Sequence, residues 1–491
     1  MQLTSSTTRP RGDRFVLWLA IALALLSCLP VLVARYPQMS DYPAHLARYY
    51  VMLDHGRNPV LAQYYGFNWQ WTGNVGVDLL IRPFAAVFGL ELGGRVITGL
   101  IPPLTGLGIV AVEWVLRRRI GLGTFLALAF VWSPMMLIGL LNFALGQAAA
   151  LWAFALWVVL GHRRGLRAAL FVPIGLVVWL CHLSAWGMLG ILVFGYEWSR
   201  EISWRPFVAP WPLLAPLVVM LANPGGTTGA FSYGLAVANY KQAIWLKAMC
   251  DTSYPVDVLG EIAVVGGLLF AIVSRRIDGR LGWAALIMLV LSIVLPRHIS
   301  GGDYADYRMV TAGLMTACLA IDWLPVRRFA RVIVLGGAPA LYLLRLAVTT
   351  MTWAADSAET ERQLVALDHI PRGARVASAV LKPVGVWGLN RLEHIGAYAV
   401  LRRDALVNAN FAVAHVHMLT LKVPFYVDPS HRVMQPLAKP VDLSHFRPAT
   451  DPKVHAQYLW YVGVKAPVAL PAGAVVIWRQ PGGLVARLPG G

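Results

Sequence analysis

The apolar positions of this chain fall into long runs separated by short polar stretches. About 20 apolar residues cross a hydrocarbon core of roughly 30 Å, so each run predicts a membrane-crossing helix. Eleven spans follow, near 15–34, 92–116, 121–141, 143–161, 168–181, 183–197, 206–222, 256–274, 281–296, 309–325 and 332–350. Short arginine clusters occupy every second gap, around Arg9 to Arg14, Arg117 to Arg119, Arg163 to Arg167, Arg200 to Arg205, Arg275 to Arg280 and Arg327 to Arg331. Arginine-rich short loops stay on the cytoplasmic side, which places the N-terminus inside and the intervening loops outside. A single helix over 168–197 would put the clusters at Arg275 to Arg280 and Arg327 to Arg331 outside. That stretch is therefore expected to break, with Cys181-His182-Leu183-Ser184 as a tight outer turn. The first run has no small-residue cleavage site before Arg35-Tyr36-Pro37 and reads as a retained span.

Three outward loops are substantial. The first, 35–90, is polar and aromatic and contains MSDYPAHLARYYVMLDHG. The second, 223–255, starts Gly-rich and holds Lys241, Lys247 and Asp251; the third, 296–308, carries Arg297, His298, Gly301-Gly302, Asp303, Asp306 and Arg308. After the last span the pattern shortens to that of a soluble α/β fold. Helices are expected at 355–368 and 393–402, strands at 374–381 and 458–464, and a hairpin of 474–478 with 484–488 about Gln480-Pro481-Gly482-Gly483. The chain is thus expected to divide into a transmembrane domain, 1–350, and an extracytoplasmic α/β domain, 351–491.

Composition agrees with the pattern. The 491 residues are 58% hydrophobic and only 13% charged, with mean hydropathy +0.60, whereas soluble domains carry about 25% charged residues. The formal charge of +18 sits in good part in the topology clusters. No basic stripe with interleaved aromatics tracks a phosphate backbone, which excludes nucleic acid as a partner. Four cysteines without CxxC or Cys/His spacing give neither a disulfide framework nor a zinc site.

The chemistry is expected outside. Asp41, His45 and Arg48, at i, i+4 and i+7, share one face of a helix at the membrane surface. An acid there takes a proton from an acceptor hydroxyl or holds a metal, while a cation neutralises a departing phosphate. Asp41 is the expected catalytic residue. His45, Arg48, Arg297, His298, Asp303, Asp306, Arg308, Lys241 and Lys247 are the expected substrate-binding residues, converging with it on one cavity. A divalent cation, Mg or Mn, is allowed without being required, and no metal-ligand set is assigned. Other features read as structural: His415 and His417 on a surface strand, His182 capping its turn, Asn142 ending a helix, and Asp54 too far along from Asp41 to share its site.

The layout resembles the GT-C superfamily of integral membrane glycosyltransferases, which use polyprenyl-phosphate-linked sugars. The family includes protein O-mannosyltransferases, aminoarabinose transferases and oligosaccharyltransferases. The resemblance covers the whole architecture and rests on few residues: SDYPAHLAR with Asp41 in the place of the family's early acid, LNFALGQAAALWAFAL at 141–156, HLSAWGMLGILVFGYE at 182–197, and the loop with Asp303, Asp306 and Arg308. The family often has two adjacent acids at the first site, whereas Ser40 and Tyr42 flank Asp41 here, and no WWD-type motif is present.

The resemblance implies transfer of a sugar from a polyprenyl-phosphate donor to an extracytoplasmic lipid, glycan or protein. It also implies a multi-pass protein of the bacterial inner membrane, with a cytoplasmic N-terminus and a periplasmic C-terminal domain. A lipid or solute transporter or flippase, and a non-catalytic envelope assembly protein, are the alternatives.

Overall fold

A computed structural model describes residues 11–222, 231–299, 301–323, 328–412, 417–425, 430–446 and 454–490. Arg9, the start of the second outward loop at 223–230, Ser300, Arg327 and His415 lie outside the described residues. Among the described residues, six helices are long and apolar enough to cross a bilayer: Arg14–Val33, Leu90–Arg117, Leu141–Val159, Arg164–Cys181, Arg205–Ala222 and Tyr254–Val273. Gly279–Val294 is a shorter apolar helix, packed closely against Ala305–Ala320. The chain is a polytopic helical membrane protein with a C-terminal region containing a sheet.

The stretch 168–197 breaks at His182. That residue is extended (φ −166°, ψ 135°) between helices Arg164–Cys181 and Leu183–Arg200, and its Nδ1 accepts the Ser184 amide at 3.0 Å. The run at 121–141 departs from expectation. It folds as two short helices, Leu122–Leu128 and Pro134–Ile138, in almost wholly buried chain. Pro134 supplies no backbone N–H and holds Ser133 extended (φ −73°, ψ 162°), which a continuous helix cannot accommodate. The break ends at Gly139, at φ +104°, and a Cβ there would lie 3.2 Å from the Asp41 Cβ. Glycine is needed for both reasons.

Several arginine clusters meet at one end of the bundle. Arg117 donates to Asp278 (2.9 Å) and to the Leu319 carbonyl (2.9 Å), and also pairs with Glu113. Arg280 reaches the Leu116 carbonyl, Arg119 pairs with Asp322 (2.5 Å), and Gly279 lies against Ser199.

Asp41 and the third loop lie at the other end, under the C-terminal region. The last long helix, Arg328–Leu364, has 37 residues, about 55 Å at 1.5 Å per residue. It outruns the bilayer, passes residue 350 unbroken and ends at the sheet. There the strand order is Val475–Gln480, Gly483–Arg487, Tyr458–Val462, Arg375–Pro383, Leu406–Val407, with Arg432–Gln435 parallel to the far half of Arg375–Pro383. The expected strands and hairpin are present. The expected helix at 393–402 is a 3-10 turn, Ile395–Ala397, followed by helix Tyr398–Arg403. Helix Tyr42–Asp54 packs beneath it. Tyr65–Phe67 pairs with Leu419–Leu421, and Tyr50 donates to Asp404 at 2.9 Å, tying the first loop to this region.

Candidate functional site

Asp41 occupies the N-cap position of helix Tyr42–Asp54, ahead of Pro43 in the first turn. Its amide donates to the Ile138 carbonyl at 2.8 Å, so the broken run fixes its backbone. Its carboxylate, 17% exposed, faces the Nε2 of His394 at 3.6 Å. One turn along, His45 Nε2 lies 3.1 Å from the Gly139 carbonyl and its ring stacks on Tyr49. Phe411 is a hub here, with ring centroids 5.3 Å from His45, 4.9 Å from His394 and 5.5 Å from His417. Burial, then the charge of Arg48, pushes the His45 imidazole well below its ordinary range; the same causes push His417 down to about 4. Both rings are neutral at pH 7.

Arg48 points inward to a different partner. It pairs with Asp78 at 2.9 Å, with side chains 5% and 0% exposed. Asn142 donates to Asp78 (3.1 Å) and to the Asn74 carbonyl (2.8 Å), and accepts the Val77 amide (2.6 Å). Asn142 therefore does more than end a helix: it locks helix Gly76–Phe88 onto the start of Leu141–Val159. Asp54 stands at the far end of its helix and caps Asn58.

The second and third loops zip together through Phe231–Ser232 and His298–Ile299. Arg297 grips Asp303 with two hydrogen bonds (2.7 and 2.8 Å), and His298 Nδ1 is 3.4 Å from the same carboxylate. Lys241 donates to Asp306 at 2.6 Å, and Tyr240 donates to it at 3.2 Å. Lys247 lies over the Trp387 ring, 5.4 Å from its centroid, and its carbonyl accepts from Tyr307. Burial, then the charges of Asp303 and Asp41, push the Tyr304 phenol well up, so it stays a donor.

Arg308 differs from the other cations of the site. It is 7% exposed, its guanidinium lies 5.6 Å from the Phe143 centroid, and its Nε is buried without a hydrogen-bond partner. No described residue forms an ion pair or hydrogen bond with its guanidinium. Phe143 belongs to the first turn of Leu141–Val159, just after the Gly139 segment that contacts Asp41. Arg308 and Asp41 thus stand near the same helix end.

Mg and Mn take oxygen donors, and among the described residues Asp303 and Asp306 are each held by a cation. One acid and histidine group among the described residues, Glu393, His394 and His431, has ligand atoms within 4.8 Å of one another. Its carboxylate is already bound by Lys382 (2.8 and 3.0 Å) and Arg432 (2.6 Å). Beside it, a cavity of about 230 Å³ is lined by Gln38, Thr252, Asp356, Trp387, Asn390 and Arg391. Asn390 adjoins Asp41's neighbour, its carbonyl accepting from Ser40 at 2.9 Å.

Sequence reasoning missed Asp78, Phe143, Glu393, His394 and Trp387. Their roles arise from pairings across tens to hundreds of residues, and the local pattern LNRLEHIGAY reads as an ordinary helix.

No protein-family model matches the chain, and no curated protein matches it. A solved structure does: ArnT from Cupriavidus metallidurans bound to undecaprenyl phosphate. That match covers 97% of this chain and 98% of that one, with TM-score 0.51 and 12% sequence identity. At that identity the likeness is one of fold. The protein is a multi-pass membrane protein whose fold is similar to that of ArnT, a GT-C glycosyltransferase, in keeping with the GT-C resemblance of its sequence.

Proposed function

We propose that this chain moves a sugar from a polyprenyl-phosphate donor to a hydroxyl or amine on an extracytoplasmic acceptor, at the bundle end that carries Asp41. The observation that carries the reading is Arg308: a buried guanidinium that no described residue ion-pairs or hydrogen-bonds, with Asp303 and Asp306 near but held by other cations. Leaving such a charge unpaired costs several kcal/mol, which a bound phosphate would offset. The likeness to a protein solved with undecaprenyl phosphate supports a lipid-linked phosphate as that anion.

In this mechanism Arg308 binds the donor phosphate and stabilises it as it departs. Asp41, fixed by the Ile138 carbonyl and the Gly139 turn, accepts the acceptor's proton as the new bond forms. Arg48 takes no part in binding and instead holds the Asp41 helix to the bundle through Asp78. Lys241 and Arg297 shape the third loop by neutralising Asp306 and Asp303. The proposed setting is the bacterial inner membrane, with the arginine clusters cytoplasmic and this site periplasmic.

The test uses purified protein in vesicles, labelled polyprenyl-phosphate sugars and envelope extracts as acceptors. Donor consumption with release of polyprenyl phosphate is expected. Movement of labelled lipid between leaflets without donor consumption would replace the reading with a flippase.

A further inference from the structure

His394 stands directly behind Asp41. It is 1% exposed, its Nε2 is 3.6 Å from Asp41 Oδ1, and its Nδ1 is 3.3 Å from the Ala409 carbonyl. A carbonyl can only accept, so Nδ1 carries the hydrogen, and in the neutral ring Nε2 turns a lone pair toward the carboxylate. Two acceptors at 3.6 Å make no hydrogen bond. One proton on either atom supplies the donor the contact lacks, and on Nε2 it makes an imidazolium facing a carboxylate. We propose that Asp41 and His394 form a one-proton relay, in which His394 Nε2 receives the proton that Asp41 takes from the acceptor. This rests on the glycosyl-transfer reading above.

The step balances as follows. The acceptor's X–H bond breaks and its electron pair forms the bond to the sugar's anomeric carbon. The bond from that carbon to the phosphate oxygen breaks, and its pair leaves with the polyprenyl phosphate. The proton goes to Asp41 Oδ1, passes to Nε2, and returns to water from the imidazolium once product has left. A carboxylate that hands its proton on is a stronger sink than one that must hold it.

The surroundings leave room for one added proton. Glu393, next in the chain, is bound by Lys382 and Arg432. Burial raises its carboxyl, but those two cations outweigh it and hold the group below its ordinary range, so it does not compete. His431 lies 4.9 Å from His394 ring to ring, and His45 faces it from the Tyr42–Asp54 helix. Among the described residues, Arg432, Lys382, Tyr304 and His417 are further charged and titratable groups nearby. Neighbouring imidazoles oppose one another's protonation, whereas the carboxylates of Asp41 and Glu393 favour it on His394.

The test has two arms, both on the full chain in lipid. In the first, the His394 ring nitrogens are titrated by NMR in wild type and in Asp41→Asn. Loss of the opposite charge should lower the His394 midpoint by about one unit; an unmoved midpoint overturns the proposal. This arm needs no substitution of His394 and no transfer activity.

In the second arm, His394→Gln should cost roughly 10- to 100-fold in transfer at neutral pH. The acid limb of its pH–rate profile should move down toward the carboxylate range. A uniform fall with the limb unmoved would mean a packing role and overturn the relay. A coupled titration in a protein that consumes no donor would instead sink the glycosyl-transfer reading.

Discussion

Arg308→Met separates a phosphate-binding cation from a structural one, because the two roles predict opposite signs. The methionine keeps an unbranched stem and removes the guanidinium, its contact over the Phe143 ring included, so lost stem packing is not confounded with lost electrostatics. A charged hydrogen bond to phosphate contributes about 1.5–3 kcal/mol. Donor affinity should therefore fall roughly 10- to 150-fold, since 1.4 kcal/mol is tenfold.

Stability of the protein without donor should move the other way. A guanidinium 7% exposed and without an ion-pair partner among the described residues is a net cost to the folded state. Its loss should raise the unfolding midpoint by a few degrees at most, because about 1 kcal/mol moves Tm by roughly 2–4 °C even in a domain about half this size. The assay is equilibrium binding of labelled polyprenyl phosphate in nanodiscs, alongside thermal unfolding of the same samples. An Arg308→Met protein that unfolds earlier and binds donor normally would refute the reasoning.

Breaking the Arg48–Asp78 pair should act on folding and leave donor recognition alone. Arg48→Met strands a carboxylate with 0% exposure and should cost about 3–5 kcal/mol, read as loss of folded protein in a thermal-unfolding series; the same midpoint as wild type would contradict it. The Glu393 carboxyl is lowered in the folded state. Its stabilisation is present above the unfolded value of about 4.3 and is lost as pH falls through the lower folded value. Glu393→Gln should flatten that part of the acid-unfolding curve, and an unchanged curve would show the group uncoupled from folding.

The apolar runs and the arginine spacing carry most of the helix order because both are local properties of the chain. The split at His182 was legible by parity, since only two helices there keep every cluster on one side. The broken run at Leu122–Ile138 was not, although Pro134 marks it, because its apolar content is that of a straight span. Asp41, His45 and Arg48 were found together by helical spacing. Spacing says nothing about what lies across the fold, where Arg48 turns to Asp78 and Asp41 meets His394, 353 residues later in the chain. Paired and unpaired cations look alike in sequence; only packing separates Arg297 and Lys241, each holding an aspartate, from Arg308.

The central claim is that this protein transfers sugar with Asp41 as the proton acceptor, and a single-turnover measurement in lipid tests it most directly. Enzyme in excess over labelled polyprenyl-phosphate sugar, with acceptor present, reports the transfer step apart from donor binding. Asparagine is nearly isosteric with aspartate and cannot take the proton at neutral pH. Asp41→Asn should therefore bind donor with wild-type affinity and slow transfer by roughly 100-fold or more. Transfer by Asp41→Asn at the wild-type rate would contradict the account.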